Sequence, residues 1–441
     1  MRTRIRGAGP LRGEVTVPGD KSISHRAAIL GAMACGETEV TGFLEGEDPL
    51  STVRCLRDLG VQIEGPHGGR LLVTSGGVEA WREPAATLDA GNSGTTFRLL
   101  LGALAGRGFP AILTGDQSLR RRPMGRVAEP LRSMGAAVGG ADGGKTAPLT
   151  IRGGKLHPAE VKLAMSSAQV KSAILLAGLQ TEGSTSVTEP SRSRDHTERM
   201  LAPFGGQVEE EALPDGRNRV TVRGAQVLRG TRVAVPGDFS AAAFFLVAGA
   251  VVPGARITMR GVGLNPTRTG LLDVLRRMGA NIRVEFGDFP AGGEPVGDVT
   301  VEGMGSLSGV EIGGELIPRM IDEIPVLAVA AAFAHGETVI RDAAELRAKE
   351  SDRIAAMAAE LARLGVRVRA LPDGLVIQGG GDLRGGDVDS WGDHRVAMAL
   401  AVAACAAGGG ETLIQGTECV DISYPGFFTD LTSLGAETEG D

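Results

Sequence analysis

The chain has 441 residues, too many for one ordinary hydrophobic core, so two or more domains are expected. Hydrophobic residues make up 42% and charged residues 22%, the balance of a soluble globular protein, and a formal net charge of −7 argues against a general nucleic-acid surface. Any anion site must therefore come from bases clustered locally against the global sign.

Aromatic residues are only 3%, which leaves Ala, Val, Leu and Ile to build the core. The 67 glycines, with no low-complexity tract, imply tight turns and close helix packing. Cys35, Cys55, Cys405 and Cys419 have no metal-ligand spacing and are expected to be small apolar fillers in a reducing compartment. The N-terminal MRTRIRGAGPLRGEV has no apolar signal core and no run approaches membrane-spanning length, so a cytoplasmic protein is expected.

A first strand within 3–17 breaks at Pro18-Gly19 and turns into a helix that Asp20 or Ser22 can cap. Lys21 and Arg26 sit in or beside its first turns, where unpaired N–H groups and the positive dipole end already favour an anion. The construction then returns. A second unit opens at Asp89-Ala90-Gly91-Asn92-Ser93-Gly94, before an apolar helix from about Phe97, and a third at Met165-Ser166-Ser167-Ala168-Gln169. The fourth opens at Pro236-Gly237-Asp238-Phe239-Ser240, the fifth near Ile321-Asp322-Glu323 and the sixth at Gly392-Asp393-His394-Arg395. Each start leads into an Ala/Leu helix, nearly charge-free after its opening turn, that reads as buried on all sides. A second, amphipathic helix follows; over 351–364 its apolar positions are Ile354, Met357, Leu361 and Leu364. These second helices close at Leu59-Gly60, Met134-Gly135, Phe204-Gly205, Met278-Gly279, Leu364-Gly365 and Leu434-Gly435, about every 70–86 residues. Three units precede the second Pro-Gly-Asp turn and three follow it. Two similar domains are therefore expected: 19–236 with the first three units, and 1–18 with 237–441 holding the rest.

Polar and charged residues gather at the helix starts, with additions from Arg120-Arg121-Arg122 and from the 347–353 segment RAKESDR. Singly, each has a plain explanation as a cap, a solvated charge run or an ion-pair set; Lys349, Glu350 and Arg353 read as neighbours on one helix. The fourth start shows no cation, which argues that the cations elsewhere do more than cap.

Together PGDKSISHRA, DAGNSGTTFR, RRPM, SSAQVKSA, SRDHTERM, RAKESDRI and GDHRVAMA resemble the EPSP synthase (3-phosphoshikimate 1-carboxyvinyltransferase) family of enolpyruvyl transferases, over all but the chain ends. The resemblance implies an α/β (α+β) fold of two similar domains, each of three βαβαββ-type units, joined by two crossover strands. It also implies transfer of the enolpyruvyl group of phosphoenolpyruvate to the 5-hydroxyl of shikimate 3-phosphate, releasing phosphate. Its partners would be those two small molecules only. No metal, cofactor, nucleic acid or membrane is implied, and a monomer is expected.

By the family pattern Ser22 and Arg26 hold the shikimate carboxylate, while Ser166 or Ser167, Gln169, Arg194 and Lys349 surround the shikimate phosphate and ring. Lys21, Asn92, Gly94, Arg122, Arg353 and Arg395 enclose phosphoenolpyruvate; Lys21 and Asp322 also face shikimate 3-phosphate, and Gln169 also faces phosphoenolpyruvate. The two substrates bring roughly six negative charges, and seven of these residues are cationic. Asp322 is the candidate base for the 5-hydroxyl and Glu350 the candidate acid for the methylene carbon, with Lys21 and His394 as competing proton carriers.

The chain departs from some family members in having Ile422 where they carry a Lys, and Arg194 where they have a Tyr near the phosphate; its only Tyr is Tyr424. Gly94 is kept where glyphosate-tolerant members often have Ala. Two rival readings fit the residues less well. The sister transferase acting on UDP-N-acetylglucosamine usually carries a reactive Cys in the loop that here runs 115–124 without one. A non-catalytic anion-binding scaffold would need the cations but not Asp322 and Glu350 as well.

Overall fold

The computed structural model describes residues 1–7, 9–287, 293–381, 383–407 and 410–440. Among them one pattern occurs six times: an edge strand, a buried helix, a strand parallel to the edge, a second helix and two further antiparallel strands. The result is six four-stranded sheets of one order. A parallel pair needs a crossover, and in four of the six sheets the buried helix supplies it directly; the first and fourth take their edge strands from elsewhere in the chain. The buried helices are Lys21–Met33, Gly94–Leu104, Ala168–Gly178, Phe239–Val251, Ile324–Phe333 and His394–Ala406. Phe239–Val251 is buried on every side, as a sequence apolar but for Ser240 requires. Each second helix ends on a glycine that takes the left-handed conformation, with φ of 86°, 107°, 81°, 97°, 90° and 110° at Gly60, Gly135, Gly205, Gly279, Gly365 and Gly435.

The stretch 3–17 is two strands rather than one. Arg2–Arg6 lies between Glu411–Gln415 and Glu437–Gly440 in the sixth sheet, and Arg12–Val15 forms the edge of the fourth beside Arg256–Gly263. The edge strand of the first sheet, Arg232–Ala234, comes from the end of the third unit. The chain divides into two compact units, one of Met1–Pro18, Pro236–Asp288 and Pro295–Asp441, the other of Gly19–Val235 and Phe289–Glu294. Each has its own apolar core around three buried helices.

Local chemistry moves two expected boundaries and removes one expected contrast. Ser93 caps Thr96 N at 3.1 Å, so its helix begins at Gly94 rather than near Phe97. Asp352 caps Ala355 N at 3.0 Å, so that helix begins at Arg353; Lys349 and Glu350 lie before it and are not helical neighbours of Arg353. The fourth start is not without a cation, because Arg268 from the following loop donates to Asp238 at 2.9 Å and to Ser240 at 2.6 Å. The contrast drawn from its apparent neutrality therefore has no force. Cys55, Cys405 and Cys419 are buried, their thiols pushed up to about 12, mainly by burial. Cys35 is exposed and fills no core. Tyr424 is a core residue that stacks edge-on with Phe427 and donates to Asp430 at 2.7 Å. No helix among the described residues is long and apolar enough to cross a membrane.

Candidate active site

In the Gly19–Val235 unit the starts of three buried helices meet. Asp20 accepts from Ile23 N at 2.9 Å and caps the first, fixing Lys21 in the opening turn. The Lys21 ammonium lies 3.0 Å from Asp48, at the start of the neighbouring second helix. Arg26 is buried and donates to Thr197 (2.7 Å), Ser172 (2.8 Å) and the Ser22 carbonyl (2.9 Å). Burial pushes its guanidinium down to about 10; Glu198 and Asp20 oppose that shift, while Arg194 adds repulsion and Glu294 opposes it. Arg26 stays charged near neutral pH.

At the second start Asn92 is gripped by Arg122, which donates to its side-chain oxygen at 2.6 Å and its carbonyl at 3.1 Å. Asn92 donates in turn to Asp116 at 2.7 Å. Of the three consecutive arginines only Arg122 is buried; Arg120 and Arg121 are exposed. A Cβ on Gly94 would stand 2.8 Å from Arg98 Nη1 and 3.4 Å from Arg122 Nη1, so this glycine makes room for two guanidinia. At the third start Gln169 donates to Thr95 at 2.9 Å and accepts from Arg98, which ties it to the second. The two serines separate here. Ser166 donates to the Ser191 carbonyl at 2.6 Å and accepts from Ser191 N at 3.0 Å, whereas the Ser167 side chain, at the N-cap, makes no capping bond to its own helix.

In the other unit Arg353 is the centre. Its fully buried guanidinium donates to Asp393 (2.8 and 3.2 Å), Glu350 (2.7 Å) and Asp322 (3.1 Å). Burial alone would favour the neutral form, but Asp393, Glu350 and Asp322 outweigh it and raise the Arg353 pKa. Lys349 Nζ lies 3.4 Å from Asp322. Asp393 also caps the sixth helix through Arg395 N at 2.9 Å, which sets the buried His394 and Arg395 directly beside this cluster. Asp322, Lys349, Glu350 and Arg353 thus come together, a carboxylate-and-cation array suited to holding anions and moving protons. The turn ahead of Asp393 repeats the one ahead of Asn92: Asp389 accepts from Trp391 N at 2.6 Å as Asp89 does from Gly91 N at 2.8 Å. Trp391 takes a φ of 56° there, matching 57° at Gly91.

Sequence reasoning missed the partners. Asp48, Arg98, Thr197 and Ser172 each touch a candidate residue, and Asp393 binds Arg353 as well as capping its helix. A charged residue inside an otherwise apolar helix, as at Arg98, was a usable signal. The others are pairings between elements distant in sequence and leave none.

The chain matches the family model for EPSP synthase (3-phosphoshikimate 1-carboxyvinyltransferase) over residues 5–431. It is 54% identical to the 3-phosphoshikimate 1-carboxyvinyltransferase of Desulforamulus reducens over 437 residues, covering 99% of this chain and 100% of that protein. The protein of the same description from Geobacillus kaustophilus is 56% identical over 426 residues, 96% of this chain and 98% of that one. Among solved structures, EPSP synthase from Acinetobacter baumannii superposes with a TM-score of 0.87 at 45% identity, covering 100% of both chains.

Proposed function

Since the chain belongs to the EPSP synthase (3-phosphoshikimate 1-carboxyvinyltransferase) family, we propose that its two residue sets divide that family's reaction between anion binding and proton transfer. The enzyme transfers the enolpyruvyl group of phosphoenolpyruvate to the 5-hydroxyl of shikimate 3-phosphate, releasing phosphate, in aromatic amino acid biosynthesis. Ser22, Arg26, Ser167, Gln169, Arg194 and Lys349 take shikimate 3-phosphate, with Ser166 supporting the Arg194 loop rather than touching ligand. Lys21, Asn92, Gly94, Arg122, Arg353 and Arg395 take phosphoenolpyruvate.

Asp322 removes the 5-hydroxyl proton as that oxygen bonds to C2 of phosphoenolpyruvate, and Glu350 delivers a proton to C3, which becomes a methyl group. The adduct carries both substituents and the phosphate on one tetrahedral carbon. Loss of a methyl proton to a base and departure of phosphate restore the double bond. Buried cations stabilise the charge that develops. Lys21 and His394 stand as the alternative proton carriers. The reading includes a cytoplasmic monomer, checked by fractionation and light scattering.

The observation that carries these roles is Arg353, buried among Asp322, Glu350 and Asp393: anionic substrates that draw it away from Glu350 would leave that carboxyl able to hold a proton. A methyl intermediate formed in D2O must place deuterium in the vinyl group of the product. Glu350→Gln should lose turnover by about 10²–10⁴-fold and lose deuterium incorporation with it, while calorimetry still detects shikimate 3-phosphate. Near-normal turnover would assign the acid elsewhere.

A further inference from the structure

Inside the Gly19–Val235 unit, none of the assigned roles uses a buried charge cluster. Lys171, on the helix that begins at Ala168, is fully buried with its ammonium 2.8 Å from Glu189 and 2.7 Å from Glu198. Burial by itself would push Lys171 down, but Glu198 and Glu189 hold it raised; burial likewise raises Glu198 against the pull of Lys171. Such a cluster is a poor investment for stability alone, since apolar residues of similar volume commonly do as well.

Its geometry shows what it fixes. Both Glu189 oxygens are taken by one residue: Ser193 N donates to Oε1 at 2.9 Å and Ser193 Oγ to Oε2 at 2.7 Å. Lys171 also reaches the Ser193 carbonyl, at 3.4 Å. The same turn is held upstream by Ser166 on Ser191, and downstream Asp195 accepts from Arg192 and Arg199, both at 2.9 Å. Arg194 is therefore carried on a turn pinned on both sides. Glu198 follows Thr197, which accepts from Arg26 and bonds Ser172 at 2.7 Å.

We propose that the Lys171–Glu189–Glu198 cluster is the positioning device for the shikimate 3-phosphate side of the site, with Glu189 setting Arg194 through Ser193 and Glu198 backing Arg26. This rests on the roles given to Arg194 and Arg26 under Proposed function. The cluster touches no substrate. It converts a surface turn into a rigid mount, so that the phosphate meets a guanidinium already in place.

The test is a split in Michaelis constants. Glu189→Ala leaves Lys171 paired with Glu198, so no buried ammonium is stranded. It should raise KM for shikimate 3-phosphate by about 10–100-fold and leave KM for phosphoenolpyruvate within about twofold. Glu189→Gln keeps an acceptor for Ser193 and should recover most of the loss. Should Glu189→Ala not fold, Ser193→Ala removes only the bond to Oε2 and should move the same constant in the same direction, by less. Equal changes in both constants, or a fall in melting temperature with both unchanged, would overturn the inference and leave the cluster a folding element. Wild-type turnover is measured first: failure to transfer to shikimate 3-phosphate would overturn the parent reading and this inference together, whereas normal transfer without the split overturns this inference alone.

Discussion

Arg353 and Arg122 do related work at two helix starts, each a buried guanidinium that fixes other polar groups before any ligand arrives. Arg122 spends two donors on Asn92, so removing it takes away both the charge proposed to meet phosphoenolpyruvate and the hold on Asn92. Arg122→Ala should weaken phosphoenolpyruvate by about 10–100-fold, the worth of one or two hydrogen bonds to a charged group, and shikimate 3-phosphate far less. Calorimetry with each ligand decides, and equal losses would mean the loop acts through folding. His25 offers a pH test. Burial, with repulsion from Lys21 and Arg26, pushes its imidazole well below the ordinary value. It stays neutral in the folded chain while the unfolded chain takes up a proton near pH 6.5. The unfolded state then binds more protons, so stability is complete above that pH and is lost as pH falls through it toward the folded value, at up to about 1.4 kcal/mol per unit. His25→Gln should flatten the fall in urea midpoint between pH 7 and 5, and parallel curves for both proteins would contradict this. At this scale the sequence named Arg353, Asp322, Glu350 and Asn92 through motif resemblance. It did not reveal that Asp393 binds Arg353 across 40 residues or that Asp48 meets Lys21 across 27, because neither contact has a local pattern.

Among the elements, the buried helices were legible because an Ala/Leu run with no charged face has nowhere to go but a core, and their partners' ends because only glycine takes the left-handed cap cheaply. Their starting points were less so. Competition between Ser93, Asp352 and their neighbours for the cap is settled by side-chain geometry, and it moved Lys349 and Glu350 off the helix on which spacing had placed them. Close helix packing gives a prediction with a built-in control. A Cβ on Gly102 would lie 2.1 Å from the Ala173 carbonyl oxygen, a backbone atom of the neighbouring helix that cannot turn aside. On Gly249 the nearest atom is a Val301 methyl, at 2.3 Å, which a rotamer change can move. Alanine improves helix propensity at both by about 1 kcal/mol. Gly102→Ala should still destabilise by about 1–3 kcal/mol or more through overpacking, whereas Gly249→Ala should be distinctly milder. Urea unfolding measures both, and equal losses would show that the backbone contact is not the deciding one.

Across the whole molecule, the six-fold recurrence was visible from the spacing of the closing glycines, but the way the chain closes its sheets was not. Arg2–Arg6 completes a sheet whose other strands lie beyond residue 386, and Arg232–Ala234 pairs with Glu39–Thr41. Such pairings join segments far apart in sequence, Arg2–Arg6 as an inner strand and Arg232–Ala234 at an edge, and periodicity carries no record of that. The proposed function likewise draws on residues from several repeats rather than on any one motif. It is tested most directly by phosphate release from phosphoenolpyruvate, followed together with the organic product, with shikimate 3-phosphate, UDP-N-acetylglucosamine or no acceptor present. The account predicts phosphate and an enolpyruvyl ether in equal amounts with shikimate 3-phosphate and neither in the other two reactions; release with UDP-N-acetylglucosamine, or none with shikimate 3-phosphate, would contradict it.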